Sequence, residues 1–222
     1  MDKHVILRNE EERDWPAVER LTRRAFYNLY IPGCVEHYLA KRLRSHPDFI
    51  PELDLVLELE GQVIANVMYT KNRLVDEGGE EREILTFGPL CVAPEHQRKG
   101  YGRLLLEGSF QRAAELGYDT VVIFGDPANY VSRGFKSCKK YNVALEGTGF
   151  PAAMLVKELR AGALDGRRWY YRQSAAYEMD EAAARAYDDA LPEKLEKKWL
   201  PCQEAFEILC QAVLPEGPGG LN

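Results

Sequence analysis

The chain has 222 residues, of which 45% are hydrophobic and 29% charged, with a net charge of −6. That is enough chain to bury a core without disulfides or metals, and its composition is that of an ordinary globular protein, not a disordered one. No run approaches ~20 apolar residues, so a membrane-spanning helix is excluded. The acidic balance disfavours a global nucleic-acid surface.

The start, Met1-Asp2-Lys3-His4, leads into polar sequence and reads as having no signal peptide, so a cytoplasmic location is expected. Five cysteines (Cys34, Cys91, Cys138, Cys202, Cys210) form no CxxC pair. Reduced thiols, with no disulfide framework and no metal site, are the expectation.

In chain order, residues 5–7 suit a first strand. Asp14 is placed to cap a helix whose first turn holds Pro16 and whose apolar stripe is Val18, Leu21 and Ala25. Ile31-Pro32-Gly33 ends it, and a second, shorter helix is predicted over Glu36–Leu43, before His46-Pro47. Leu55, Leu57 and Leu59 alternate, and after Gly61 so do Val63, Ala65, Val67 and Tyr69, which reads as a β-hairpin. Residues 84–92 suit a buried strand, but Pro89 sits inside it, so a bulge or splay is expected there.

Gly100 opens a helix with Leu106, Phe110 and Ala113 on one face, and Gly117 closes it. Residues 120–124 are a β-branched run. Strand, helix and strand here make a crossover, hence a parallel pair. A short helix is expected over residues 129–133, and strands over 141–145 and 154–159. From Asp180 the composition turns to a helical extension, with Phe206, Leu209, Cys210 and Val213 at helical spacing, and residues 215–222 are Gly/Pro-rich and expected to fray.

Chemistry concentrates at Val92-Ala93-Pro94-Glu95-His96-Gln97-Arg98-Lys99-Gly100-Tyr101-Gly102, where a strand meets a helix. Unpaired N–H groups and the dipole at a helix start favour an anion, and Gly100 and Gly102 let a phosphate approach the backbone. Arg98, Lys99 and Arg103 add positive charge. A P-loop is excluded because Lys99 precedes Gly100 instead of following it. A dinucleotide fingerprint is excluded because Leu105 stands where its third glycine belongs. The pattern points to a pyrophosphate at this helix start.

Gln97-Arg98-Lys99-Gly100-Tyr101-Gly102 resembles the Gln/Arg-x-x-Gly-x-Gly/Ala signature of the GNAT superfamily of N-acetyltransferases, and the order of elements over residues 4–160 is similar to that family's. Asn129-Tyr130-Val131-Ser132-Arg133-Gly134-Phe135 strengthens the resemblance, because the family often places a tyrosine four residues before Gly-Phe. Phe124-Gly125-Asp126-Pro127 and Pro51-Glu52-Leu53-Asp54-Leu55-Val56 look like a bacterial branch of uncharacterised members.

The resemblance implies an α/β fold: one mixed, twisted sheet with helices on both faces and two splayed central parallel strands. It implies a donor-binding domain over residues 1–160; the sequence beyond reads as a C-terminal strand and helical extension over 161–222, whose helical tail after Asp180 is expected to be a lid or a homodimer contact. The resemblance also implies acetyl-CoA as acetyl donor and direct transfer to a primary amine of a small molecule or peptide. Backbone at Leu90, Cys91 and Val92 would pair with the pantetheine arm. Gln97, Arg98, Lys99, Gly100, Tyr101, Gly102 and Arg103 would hold the pyrophosphate, Asn129 would contact the arm, and Tyr130 would protonate the departing thiolate.

Many relatives carry a glutamate base eleven positions ahead of the signature Gln; here that position is Thr86, which cannot act as a base. Glu36 and His37, in the segment joining the first two helices, are the alternative source and the candidate acceptor-binding residues; Asp126 is a further candidate. A non-catalytic acyl-CoA-binding module is the competing reading, and the missing glutamate favours it. Arg167-Arg168-Trp169-Tyr170-Tyr171-Arg172 interleaves cations with aromatics, which stacks on single-stranded nucleic acid in other settings. In an acidic chain it reads better as an edge strand, with no nucleic-acid partner.

Overall fold

A computed structural model of the protein describes residues 4–217. Two readings of the sequence therefore fall at least partly outside the described residues: the start at Met1-Asp2-Lys3, and residues 218–222 of the Gly/Pro-rich end.

The first half folds as β1 (Val5–Asn9), α1 (Trp15–Phe26), α2 (Glu36–Leu43), β2 (Leu55–Leu59), β3 (Gln62–Asp76) and β4 (Glu81–Val92). It continues with α3 (Tyr101–Glu115), β5 (Thr120–Phe124), α4 (Pro127–Tyr130), β6 (Lys136–Ser137), β7 (Val143–Ala144), β8 (Phe150–Pro151) and β9 (Met154–Glu158). The last elements are β10 (Trp169–Arg172), α5 (Glu181–Ala190), α6 (Pro201–Gln211) and β11 (Val213–Leu214).

One mixed sheet runs β1-β2-β3-β4-β5-β9-β6. Along this path the neighbours are antiparallel except β4 and β5, which pair in parallel at Leu85↔Val121; off it, β10 and β7 are also parallel. Val67 faces Leu90 and Tyr69 faces Phe87, so Gly88 and Pro89 together oppose Met68 alone. This is the bulge that Pro89 predicts, since a residue without an N–H cannot serve a regular ladder.

The bulge has a consequence for side chains. A one-residue slip reverses the faces of a strand. Leu85 and Phe87 belong to the core on the α3 side, and after the bulge it is Leu90 and Val92 that pack there. Cys91 points the other way, onto Leu21 of α1. α3 lies on one face through Leu105, Leu106 and Phe110, and Tyr69 shares a buried hydrogen bond with Ser109, 2.7 Å apart. α1 and α2 cover the opposite face, with Leu43 and Ala40 against Met68. Each fully buried leucine of β2 contributes about 2 kcal/mol to this packing.

Several details differ from the reading of the sequence. Asp14 does not cap α1 with its side chain. Its carboxylate accepts two bonds from Arg8, at 2.5 and 3.0 Å, and one from the Glu11 N–H. The strand predicted over residues 141–145 shrinks to β7, because Tyr141 closes a 3₁₀ turn and Asn142 takes a left-handed φ of 55°. β10 is not an edge: it pairs with the second half of β3 on one side and with β7 on the other. The arginines just ahead of β10 and at its end are occupied, Arg167 by Asp76, Glu80 and Asp165, Arg168 by Glu216, and Arg172 by Glu146. Trp169 and Tyr171 are buried and not free to stack, and Tyr170 between them is half-buried.

Candidate active site

β4 runs on to Val92 and β5 to Phe124, yet their pairing is confined to Leu85↔Val121. Beyond it the strands part. Backbone polar groups on the opened edge of β4 are left for another partner. A cavity of about 720 Å³ occupies the opening. Its walls come from the end of α1 and the segment to α2, from β4 residues Phe87 to Val92, from the 96–103 loop, and from the β5–α4 turn.

The signature loop forms one end. Gln97 donates through Nε2 to the Val92 carbonyl at 3.1 Å and ties the loop to the strand. Arg98 has a left-handed φ of 59° and Gly100 one of 90°, so the chain turns twice on its way into α3. The first intrahelical bond of α3 is Leu104 N–H to Gly100 O, so the N–H groups of Tyr101, Gly102 and Arg103 have no partner within the helix. Arg98, Gly100, Gly102 and Arg103 line the cavity. Lys99 does not: its Nζ donates to the Glu95 carbonyl at 2.7 Å. Tyr101 is also turned away, half-buried against the core and edge-on to His96.

Leu90, Cys91 and Val92 line the middle. The Cys91 side chain is buried on α1, 3.5 Å from Thr22 Oγ1, and burial pushes its thiol up to about 11. A buried, protonated thiol facing away from the opening is no nucleophile.

Asn129 and Tyr130 stand on α4, across from β4. Tyr130 packs against Phe87 and Phe135, with ring centroids 5.8 Å away in each case. Burial above all, with the carboxylate of Asp126 nearby, holds its phenol well above the usual range, so it remains protonated at neutral pH. Asp126 itself caps α4, accepting from the Ala128 N–H at 2.9 Å.

The fourth wall separates the two candidates from the α2 start. Glu36 lines the cavity. Its carboxylate is bonded by its own N–H and by that of Val35, yet burial outweighs both and raises it above the usual carboxylate range. His37 is elsewhere, since successive helix residues are ~100° apart. It is buried with Nδ1 3.3 Å from Cys34 Sγ and Nε2 3.4 Å from Asp188 Oδ1, and burial lowers its pKa. The expectation that His37 meets the acceptor is therefore corrected. Thr86 shares a 2.9 Å hydrogen bond with Tyr171 on the far face of β4, so no base stands at that strand position.

The cavity also uses residues that the sequence reading did not single out: Leu29, Tyr30, Leu39, Phe124 and Arg133. Tyr30 lay in the segment already under suspicion. Phe124 carried a signal of its own, an apolar residue at the C-terminal end of a strand that parts from its neighbour; it is 43% exposed.

A parallel pair that splays over an anion-ready helix start, with a phenol and a carboxylate on the surrounding walls, defines an acyltransferase-type site. The profile of the Acetyltransferase (GNAT) family matches residues 15–137, and the chain belongs to that family. It is 31% identical over 163 residues to the uncharacterized N-acetyltransferase YhbS of Escherichia coli strain K12, a match spanning 73% of this chain and 92% of that one. The crystal structure of the Escherichia coli YhbS in complex with CoA superposes with a TM-score of 0.69 at 25% identity, covering 81% of this chain and 94% of that one. A GNAT family acetyltransferase from Brucella melitensis, crystallised with acetyl-CoA, is similar in fold, with a TM-score of 0.61 at 22% identity over 78% and 98% of the two chains.

Proposed function

We propose that the protein transfers the acetyl group of acetyl-CoA directly to a primary amine within this cavity. The observation that carries the reading is the continuity of one cavity from the open start of α3, along the unpaired edge of β4, to Tyr130 and Glu36. The donor's charged end fits the first of these: three unpartnered N–H groups, the dipole of a fifteen-residue helix, and the guanidinium groups of Arg98 and Arg103. Its pantetheine arm carries amides, which fit the opened backbone of residues 90–92 and the Asn129 side chain.

The chemistry then falls to two side chains. An alkylamine with pKa ~10.4 costs about 4.6 kcal/mol to deprotonate at pH 7. Glu36, with its affinity for a proton raised by burial, takes that proton directly or through water. The amine nitrogen attacks the thioester carbonyl carbon, the C–S bond breaks, and the thiolate takes a proton from Tyr130. The burial that raises the phenol also raises a thiolate formed beside it, so the transfer stays near balance. The products are an N-acetylamide and CoA.

Thr86 favours the competing reading of a non-catalytic acyl-CoA sensor, because no base stands at that position of the strand. Glu36 on the facing wall supplies a carboxylate from another element and favours turnover. The test is release of free CoA thiol, followed with a thiol reagent, when a panel of amines is added with acetyl-CoA; amine-dependent release supports the enzyme. Saturable acetyl-CoA binding with no release for any amine supports the sensor.

We further propose that residues 1–160 bind the donor and residues 161–222 are an extension serving the acceptor side. A cytoplasmic location fits acetyl-CoA as donor and suits five free cysteines.

A further inference from the structure

The C-terminal helices hold the segment between α1 and α2. Arg23 at the end of α1 donates to the Asp188 carboxylate of α5 at 2.7 Å, both residues being buried. Tyr27 donates to the Leu195 carbonyl at 2.9 Å. Asn28 is tied to the same region: its Nδ2 donates to Glu196 O, its Oδ1 accepts from Lys198 N–H, and its carbonyl accepts from the Gln203 side chain. Next in the chain come Leu29 and Tyr30, two residues of the cavity wall. Phe206 of α6 stacks on Tyr30 with centroids 4.0 Å apart and planes inclined by 28°.

The chemistry of this wall is specific. Leu29, Tyr30, Leu39 and Phe124 are apolar or aromatic. Among the described residues, Glu36 is the only acidic side chain lining the cavity. The cations of the lining, Arg98, Arg103 and Arg133, come from the signature loop, α3 and the segment after α4, not from this wall. One carboxylate among aromatic faces suits one ammonium group on an apolar body. A second ammonium would be left desolvated without a partner.

We infer that the acceptor is a monoamine with an apolar or aromatic body, and that Phe206 is a positioning residue that holds Tyr30 as the wall receiving that body. The inference rests on the reading of the cavity as the acetyl-transfer site. Phe206 does not line the cavity and acts through Tyr30, so it belongs to acceptor recognition and not to donor binding.

The test is isothermal titration of the full chain, first with CoA and then, with CoA bound, with phenethylamine or putrescine. Phenethylamine should bind at least tenfold more tightly than putrescine. Phe206→Ala and Phe206→Leu should weaken phenethylamine at least fivefold while leaving the CoA dissociation constant within twofold, and Phe206→Tyr should restore it. The unchanged CoA affinity shows that the variants are folded. Equal or tighter binding of putrescine overturns the inference, as does an unchanged phenethylamine affinity in both Phe206→Ala and Phe206→Leu. If neither amine binds the CoA complex, the inference fails while the donor site stands. If CoA itself does not bind, the reading of the cavity fails.

Discussion

Tyr130 lies over Gly125 so closely that a Cβ on Gly125 would sit 2.7 Å from its ring. The glycine at the end of β5 thus makes the space in which the candidate acid stands, and no flexible side-chain tip is available there to give way. Gly125→Ala is expected to push the phenol off its position. The turnover number should fall at least tenfold, because a misplacement of ~1 Å costs about that much or more. The acetyl-CoA dissociation constant should change less than threefold, since the anion-binding loop is distant in sequence and separately anchored by Gln97. Titration calorimetry alongside steady-state kinetics checks both halves.

Tyr130→Phe removes the proton and keeps the ring that packs on Phe87 and Phe135. The turnover number should drop about 10²- to 10⁴-fold, the usual range for a general acid, with the melting temperature nearly unchanged. A drop of less than threefold would take the acid role from this residue.

Glu36 sets a pH signature. As a base it must be ionised, and burial places its proton loss above the ordinary glutamate value of ~4.3. The rate at subsaturating amine should therefore rise with pH along a limb lying above that value. In Glu36→Gln this limb should vanish and the rate fall about 10²-fold. A pH–rate profile of the two proteins, with ionisation of the free amine subtracted, measures it.

How far the sequence reaches is seen at these same residues. Pro32-Gly33 and His46-Pro47 bracket α2 visibly, and its bounds came out as read. The bulge at Pro89 and the parallel crossover were legible for similar reasons: one residue without an N–H, and one strand-helix-strand pattern. Neighbouring side chains were harder. Glu36 and His37 are adjacent in the chain, but only the fold decides which faces the cavity. Lys99 reads as a phosphate cation until its bond to the Glu95 carbonyl is seen. Long-range partners were beyond reach: periodicity marked the apolar face of α6 at Phe206, but nothing local announced Tyr30 as its neighbour. Arg167 and Arg168, just ahead of β10, likewise meet carboxylates brought in from a distant turn and from the C-terminal end.

Asp14 gives a stability prediction. Its hydrogen bonds to Arg8 hold its carboxyl below the usual aspartate range. A group with a lowered folded-state pKa contributes stability above its unfolded value of ~3.9 and loses it as pH falls through the folded value. Asp14→Asn should cost about 1.5–3 kcal/mol at pH 7, as for a charged hydrogen bond, and the gap between the proteins should close below about pH 4. Urea unfolding at several pH values follows it.

The most direct measurement is titration of acetyl-CoA into the wild-type protein and into Arg98→Glu and Lys99→Glu variants. One molecule should bind per chain. Arg98→Glu should weaken it at least tenfold, because Arg98 lines the cavity at the open start of α3, whereas Lys99→Glu, whose parent side chain is bonded to Glu95, should change it less than threefold. Absence of binding at millimolar acetyl-CoA, or wild-type affinity in Arg98→Glu, would contradict the placement of the donor in this cavity.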